Sequence, residues 1–267
     1  MSRKGFRRNV KPLELLTEDN IQDMHQAVLT VLWDTGVCIE NDWALTFLKE
    51  NGCRVDEGNM RVQFPAELVE ECIHQAPSSY QVQAPNPVNN LLVGGETLYY
   101  SHSSGMETVD LNSFEPRQPT RSEYIDCVRV LDALPYLDHL GCYPYFGYEG
   151  ILSTMAIPEG VAIHMKYSTK HQFGCCSNDC EIFTIQLAQA VGHEFTGTIG
   201  SSPPLTWGSE AVTAAKRLVE AGLPLSTVDG CMMGGTGPAT IPGSVVVSSV
   251  EQMAMVVIVQ LLRPGHR

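Results

Sequence analysis

Aromatic side chains occur in two groups that could bind an organic cation. The first is the tract Tyr143-Pro144-Tyr145-Phe146-Gly147-Tyr148, and the second is Trp207, which follows Ser201-Ser202-Pro203-Pro204. The face of an aromatic ring attracts a desolvated cation with about 0.5–2 kcal/mol. The residues predicted to contact a substrate are Tyr143, Tyr145, Phe146, Trp207 and Ser201. The alternative is that these aromatic residues line a core and a loop.

Basic side chains precede the apolar segment Phe173-Gly174-Cys175-Cys176. Among them, His164, Lys166 and His171 are the predicted catalytic residues, because they could polarise a carboxylate or assist proton transfer. Lys170 belongs to the same group. The alternative is that these side chains are structural or face solvent.

The cysteines do not predict a metal site. Cys175, Cys176 and Cys180 are close in sequence, and Cys231 and His102 could join them. The ligands of common zinc motifs, however, are separated by about two to four residues. We therefore expect no bound metal. The nine cysteines, without a secretion signal, favour reduced thiols in a cytoplasm.

The glycine-rich stretch Gly234-Gly235-Thr236-Gly237 precedes a predicted helix. Backbone N–H groups at a helix N-terminus can bind an anion, but the G-x-G-x-x-G spacing of dinucleotide sites is absent. We predict that Gly234, Gly235 and Thr236 form a loop that a large ligand can approach closely. A tight turn between strand and helix is an equal alternative.

Charge and hydropathy exclude several classes of protein. The formal net charge of −13 argues against nucleic acid as a partner, because phosphate backbones are repelled. The basic arm at residues 3–11 is not followed by an apolar run, so no signal peptide is predicted. The apolar tract at residues 245–262 is interrupted by Glu251 and Gln252, which favours a buried helix over a membrane span. We expect a soluble, cytoplasmic protein.

Two regions differ in their predicted secondary structure. Residues 1–119 read as an α+β region with a β-rich insert at 80–109, and residues 120–267 as alternating strands and helices. Helices are predicted at 17–35, 43–50, 65–76, 122–134, 153–165, 181–190, 209–221 and 241–262. Strands are predicted in a hairpin at 55–64 and at 137–145, 172–176, 195–201 and 225–233.

The alternation after residue 120 predicts parallel strands joined by helical crossovers. It amounts to about four strand–helix units, roughly half of the eight units of a closed barrel. The fold class is therefore α/β, with an incomplete TIM-like (β/α)8 barrel after the α+β region. Either the sheet is open or the chain is a fragment.

Three stretches resemble the trimethylamine methyltransferase family, which includes glycine betaine methyltransferases. Residues 16–79 carry Trp33-Asp34-Thr35-Gly36 and Gln75-Ala76-Pro77-Ser78-Ser79, and residues 120–138 carry Leu131-Asp132-Ala133-Leu134-Pro135. The most specific stretch joins Ala221-Gly222-Leu223-Pro224, Gly234-Gly235-Thr236-Gly237-Pro238-Ala239-Thr240 and Gln260-Leu261-Leu262-Arg263-Pro264-Gly265. Weaker similarity fills most of the gaps, so the resemblance extends over nearly the whole chain.

The resemblance implies a TIM-like barrel and an enzyme that moves a methyl group from a quaternary or tertiary amine to the cobalt of a corrinoid protein. The amine would be of the trimethylamine or glycine betaine type. The corrinoid would be carried by that partner protein, with no cofactor bound directly, and its ring would approach the loop at Gly234. The pyrrolysine of the trimethylamine enzymes lies downstream of the residues aligned here.

Two other functions remain open at this point. The chain could be an inactive, truncated barrel that acts at most in binding or assembly. An unrelated hydrolase or lyase is disfavoured, because neither G-x-S-x-G nor H-E-x-x-H is present. Self-association into a homo-oligomer is also left open.

Overall fold

The computed structural model describes residues 5–267, which form two compact units. The first unit contains the described residues up to Val10 together with Ser78–Gly197. The second contains Lys11–Pro77 together with Thr198–Arg267. Part of the basic arm, Arg3 and Lys4, lies outside the described residues. The boundary predicted after residue 119 stays a prediction about domains.

Helices and strands alternate along much of the described chain. The helices are α1 (Glu18–Asp34), α2 (Asp42–Glu50), α3 (Ala66–Gln75), α4 (Arg121–Ala133), α5 (Ala156–Tyr167), α6 (Cys180–Val191), α7 (Ser209–Ala221) and α8 (Ile241–Leu262). The strands are β1 (Phe6–Arg7), β2 (Val37–Ile39), β3 (Arg54–Asp56), β4 (Arg61–Gln63), β5 (Tyr80–Val82), β6 (Leu91–Val93), β7 (Thr97–Leu98), β8 (Thr108–Val109), β9 (Pro116–Arg117), β10 (Phe173–Cys175), β11 (Thr196–Gly200), β12 (Thr206–Trp207) and β13 (Leu225–Val228).

Local sequence signals determine where the helices begin and end. Thr17 caps α1 by accepting the N–H of Asn20, whose side chain in turn accepts the N–H of Thr17. After α1 the chain turns at Gly36, where φ is +71° and a side chain would collide with the carbonyl of Val62. Only glycine fits this turn without strain. The helix predicted after Thr17 is therefore confirmed at both ends.

In the second unit, a four-stranded sheet and helices α1, α2, α3, α7 and α8 all contribute to the core. The sheet has the order β12-β2-β4-β3, in which β12 runs parallel to β2 and the other pairs are antiparallel. Helix α8 packs against α1, α3 and α7. Fully buried side chains in this unit include Leu32, Ile39, Leu48, Phe64, Trp207, Leu218 and Met255.

Within the described residues, α8 is the one helix long and apolar enough to cross a membrane, with a mean hydropathy of 1.9. The core helix of a soluble protein passes the same test. Two polar side chains of α8 are buried against protein partners: Glu251 accepts the N–H of Leu205, and Gln260 bonds to the backbone of Gly265 and His266. This packing favours the core helix predicted from the sequence.

In the first unit, helices α4 and α5 pack together, and α5 packs on α6. Their shared core contains Tyr124 and Val128 of α4, Ile163 of α5, and Leu140. The predicted β-rich insert is present as short antiparallel pairs, β5 with β6 and β8 with β9, while β7 pairs with β1.

The strands of the predicted barrel are shorter than expected. Strands β10, β11 and β13 are each separated from the next by a helix in the chain. The strand predicted at 137–145 is wrong, because only Leu140 makes a parallel bridge, to Gln172. The next N–H, of Gly141, donates to His102 instead of continuing a ladder. Likewise β13 ends at Val228, because the Asp229 carboxylate turns back to accept the N–H of Cys231.

The described residues contain no closed barrel. They form a mixed α/β structure in which helices alternate with short strands, so the α/β class is confirmed. The TIM-like barrel stays a prediction. The strands β2 and β12 were not expected, since each is too short to show a period of apolar residues.

We predict that Lys170→Met lowers the free energy of unfolding by about 1–3 kcal/mol. Lys170 is buried, and its ammonium donates to the carbonyls of Leu131 and Leu134 at the C-terminal end of α4, at 2.7 and 2.8 Å. A cation at this end also stabilises the helix dipole. Urea unfolding checks the value, with the exposed Lys166→Met as control. Equal unfolding energies for both variants would show that Lys170 does not cap α4.

We predict that Gly174→Ala destabilises the first unit by about 1–3 kcal/mol. A methyl group on Gly174 would overlap the ring of Phe195, which is fully buried and cannot move aside cheaply. Thermal unfolding measures the effect against Gly230→Ala, where no atom lies within 4 Å of the added methyl group. A Gly174→Ala midpoint equal to that of Gly230→Ala contradicts the predicted overlap.

Candidate functional site

The predicted aromatic tract lies in the first unit, in the loop that follows Leu140. Tyr143, Tyr145, Phe146 and Tyr148 are all half-buried there. The rings of Tyr143 and Phe146 meet edge to face, with centroids 5.4 Å apart. The structure therefore brings four of the predicted aromatic side chains into one loop, each with part of its surface accessible.

Tyr124 of α4 packs against two of these rings. It is fully buried, and its ring makes edge contacts with Tyr145 at 5.9 Å and with Tyr148 at 6.3 Å. Tyr148 is further fixed by α5, since its hydroxyl donates to Glu159 at 3.0 Å. A protein cation already lies near the Tyr148 ring, because the guanidinium of Arg121 is 6.0 Å from its centroid.

The rings of Tyr143, Tyr145 and Phe146 have no Lys or Arg over them in the part of the chain that the structure describes. Burial raises the pKa of the Tyr143 and Tyr145 hydroxyls, so both are neutral phenols. Their ring faces therefore keep the negative quadrupole that attracts a cation. These are the side chains of the tract that are best suited to bind one.

His164 is buried beside this cluster in an unusual environment. Within the described residues neither ring nitrogen has a hydrogen-bond partner, and the hydroxyl of Tyr124 has none either. The ring of His164 lies 6.2 Å from that of Tyr124 and 6.4 Å from that of His102. Burial, and then the neighbouring His102, lowers the pKa of His164 to about 3. His164 is therefore neutral near pH 7, with one ring N–H that can donate a hydrogen bond and one ring nitrogen that can accept one.

His102 connects this region to the backbone of the loop. Its Nε2 accepts the N–H of Gly141 at 3.0 Å, and its Nδ1 donates to the carbonyl of Ser103 at 2.9 Å. Both bonds require the neutral tautomer with the proton on Nδ1, and burial lowers the pKa of His102. Sequence reasoning considered His102 only as a metal ligand and missed Tyr124, which looked like an ordinary core position of a helix.

The other predicted catalytic residues have separate environments. Lys166 is exposed on α5, with its ammonium 5.5 Å from the Tyr167 ring. His171 is fully buried, and its Nδ1 donates to the carbonyl of Gln83 while its Nε2 accepts the hydroxyl of Thr196, both at 2.8 Å. The catalytic roles predicted for His164, Lys166 and His171 stay predictions.

Trp207 and Ser201 belong to the second unit. Trp207 is fully buried, and its indole N–H donates to the backbone carbonyl of Glu251 at 2.8 Å. Ser201 follows β11 and lies beside the carboxyl group of the same Glu251. The substrate contacts predicted for Trp207 and Ser201 stay predictions. Glu251, which interrupts an apolar tract, is a buried acid that sequence reasoning did not select.

The loop at Gly234, Gly235 and Thr236 is closed by its own hydrogen bonds. The N–H of Gly234 donates to the carbonyls of Gly237 and Pro238, and the N–H of Gly235 donates to the carbonyl of Met232. The hydroxyl of Thr236 accepts the N–H of Met232. These donors are used inside the loop, which favours the tight turn over an anion site. Close approach of a large ligand stays a prediction.

No three His, Cys, Asp or Glu side chains lie close enough to hold a metal ion within residues 5–267. The cysteines are free thiols there, and burial raises the pKa of those such as Cys142. Since a thiolate is the form that binds zinc, these thiols are poorly prepared as ligands.

We predict that wild type loses stability faster than His164→Gln as the pH falls from about 6.5 to about 3. Over this range the unfolded chain binds a proton at His164 that the folded chain excludes, because the pKa falls from 6.5 to about 3 on folding. The slope of unfolding free energy against pH should differ by about 1.4 kcal/mol per pH unit.

Urea unfolding at several pH values measures this slope. His74→Gln serves as the control, because His74 is an exposed histidine of α3. Parallel slopes for wild type and His164→Gln would show that His164 is not excluded from protonation in the folded chain.

Comparison with known proteins places these features in a family. A model of the trimethylamine methyltransferase family (MTTB) matches residues 1–267. A trimethylamine methyltransferase MttB of Desulfitobacterium hafniense is 26% identical over 93% of this chain and 52% of its own length. A glycine betaine methyltransferase of the same species is 25% identical over 94% of this chain and 54% of its length.

A trimethylamine methyltransferase MttB of Methanosarcina barkeri is 22% identical over 96% of this chain and 54% of its own length. This chain thus spans about half the length of the curated relatives it matches. The family model, in contrast, covers every residue of it. The chain belongs to the trimethylamine methyltransferase family.

Proposed function

We propose that the chain takes part in the transfer of a methyl group from a quaternary or tertiary amine to the cobalt of a corrinoid protein. The donor nitrogen is cationic, either quaternary or a protonated tertiary amine. Its carbon–nitrogen bond breaks, the bonding electrons stay on the nitrogen, and a neutral amine leaves. Co(I) supplies the electron pair of the new bond and becomes methyl-Co(III). In this proposal the corrinoid is a substrate carried by the partner protein, and the chain itself contributes amine binding. A cytoplasmic location is part of the proposal, since Co(I) needs a reducing compartment.

The main support for this proposal is the aromatic loop, which occurs here in a chain of the trimethylamine methyltransferase family. A methylated quaternary nitrogen has no N–H to donate, so its recognition depends on aromatic faces. The faces of Tyr143, Tyr145 and Phe146 are half-accessible and have no protein cation over them among the described residues. Relatives of the chain are named for trimethylamine and for glycine betaine, which both carry methylated nitrogen.

The donor is proposed as a methylated amine of the trimethylamine or glycine betaine type. A clamp for the betaine carboxylate by His164, Lys166 and His171 stays a prediction; His164 and His171 are buried, whereas Lys166 is exposed. His164 instead supports the site as a neutral, buried neighbour of the tyrosine rings.

The fold proposed for the family supports a place for the corrinoid. We propose that β10, β11 and β13, with the helices between them, are early units of a TIM-like barrel. Active sites of such barrels lie at the carboxyl ends of the strands. In the proposed barrel the aromatic loop, which follows the Leu140 bridge, and the loop at Gly234, which follows β13, would each come after a strand.

We predict that Tyr145→Leu weakens binding of tetramethylammonium by about 2- to 30-fold, which corresponds to the loss of one cation–π contact. Tyr145→Phe keeps the ring and should bind within about twofold of wild type. Isothermal titration measures both affinities. Tyr136→Leu is the control, because Tyr136 is an exposed ring outside the loop. Equal affinity of Tyr145→Leu and Tyr136→Leu would remove the aromatic loop from the proposal.

The reaction itself is tested by absorption spectroscopy. The chain is mixed with a Co(I) corrinoid protein and trimethylamine or glycine betaine, and methyl-Co(III) is expected with one amine. Its rate should fall in Tyr145→Leu and not in Tyr136→Leu. Amine binding without methyl-Co(III) formation would instead support the alternative that this chain acts only in binding or assembly.

A further inference from the structure

A second group of polar side chains lies in the second unit, where β11 and β13 end. Ser201 is the first residue after β11, and its N–H donates to Val228, the last residue of β13. Glu251 and Gln252 approach the same place from α8: Glu251 lies beside Ser201, and Gln252 accepts the hydroxyl of Thr227. The group thus combines the carboxyl ends of two neighbouring strands with one helix.

The carboxyl group of Glu251 is the most deeply buried part of this group. Glu251 is fully buried and is the one charged residue of α8, and its Oε1 accepts the N–H of Leu205 at 2.6 Å. Burial raises the pKa of Glu251; the Ser201 hydroxyl and the Leu205 N–H offset part of this rise, and the nearby Asp229 adds to it. Among the described residues, neither acid forms an ion pair with a Lys, Arg or His.

Three buried atoms of the group lack a hydrogen bond within the described residues. They are Oε2 of Glu251, Oγ of Ser201 and Nε2 of Gln252. The Ser201 hydroxyl is close enough to affect the Glu251 carboxyl, but the two do not meet in normal hydrogen-bond geometry. Buried polar atoms in native proteins are nearly always paired, so several unpaired atoms in one place indicate a ligand.

The rim of the group is less buried than Glu251. Ser201, Asp229 and Gln252 are each half-buried, whereas Glu251 is not exposed at all. An unpaired carboxylate oxygen and an unpaired hydroxyl beside a second acid call for a cation that donates hydrogen bonds.

We propose that Glu251 and Ser201 form a binding site for a protonated methylamine that carries N–H, such as dimethylammonium. Its two N–H groups would donate to Oε2 of Glu251 and Oγ of Ser201, and its charge would be balanced by the carboxylates. This site rests on the proposed function, because removal of a methyl group from trimethylamine yields an amine of this class. It differs from the aromatic loop in requiring N–H on the ligand.

The experiment is isothermal titration of the chain with dimethylammonium and with tetramethylammonium at pH 8. Glu251→Gln keeps the shape of the side chain, and its amide oxygen can still accept the N–H of Leu205. It should weaken dimethylammonium binding by about tenfold or more, because a charge-assisted bond is lost. Ser201→Ala should weaken it by about three- to tenfold. Glu220→Gln, an exposed acid of α7 paired with Lys216, should leave it unchanged.

The experiments test the Glu251 site and the aromatic loop independently of each other. Tyr145→Leu should leave dimethylammonium binding at Glu251 unchanged while it weakens tetramethylammonium binding. If Glu251→Gln and Glu220→Gln bind dimethylammonium equally, this inference is overturned and the aromatic loop is unaffected. If Glu251→Gln and Ser201→Ala weaken dimethylammonium binding and Glu220→Gln does not, the site is supported even where the methyl transfer assay is silent. Tetramethylammonium binding that is lost in Glu251→Gln would also overturn it, because that ligand has no N–H.

Discussion

The structure depends throughout on pairing the polar groups that its core encloses. A buried donor or acceptor without a partner costs about 1–3 kcal/mol, a large fraction of the stability of a domain. In the first unit Lys170 closes the end of α4, and His171 bonds to a backbone carbonyl and a threonine hydroxyl. In the second unit the indole of Trp207 and the carboxyl of Glu251 are bonded to the backbone. These bonds permit helices and strands to pack with charged and polar residues inside.

A few buried polar atoms in the described residues have no hydrogen-bond partner. His164 and Tyr124 have unpaired atoms next to the tyrosine rings of the first unit, and Glu251 has one at the strand ends of the second. Each group combines unpaired polar atoms with half-buried side chains. The two groups suit different ligands, because aromatic faces attract a cation without N–H, whereas carboxylate and hydroxyl oxygens require a donor.

Helices were predictable from the sequence to a greater extent than strands or sites. Helix α8 was predicted at its observed bounds, since a long apolar run and the following Pro264 mark it without reference to other elements. Strand β12 has two residues, and only its partner β2, far away in sequence, defines it. The aromatic loop was predicted from residue types alone. The position of Tyr124 beneath it and the unpaired state of His164 arise from tertiary packing, which no local pattern encodes.

The order of the chain within the second unit has a consequence for synthesis. Helices α1 and α3 precede residue 78, but α8, which packs against both, begins only at Ile241. On a ribosome the apolar faces of α1 and α3 are therefore made long before their partner emerges. The larger part of the first unit, Ser78–Gly197, is translated in the interval, so the second unit closes after it. Contacts of such long range in sequence slow folding, and they make the nascent chain dependent on chaperones that shield exposed apolar surface.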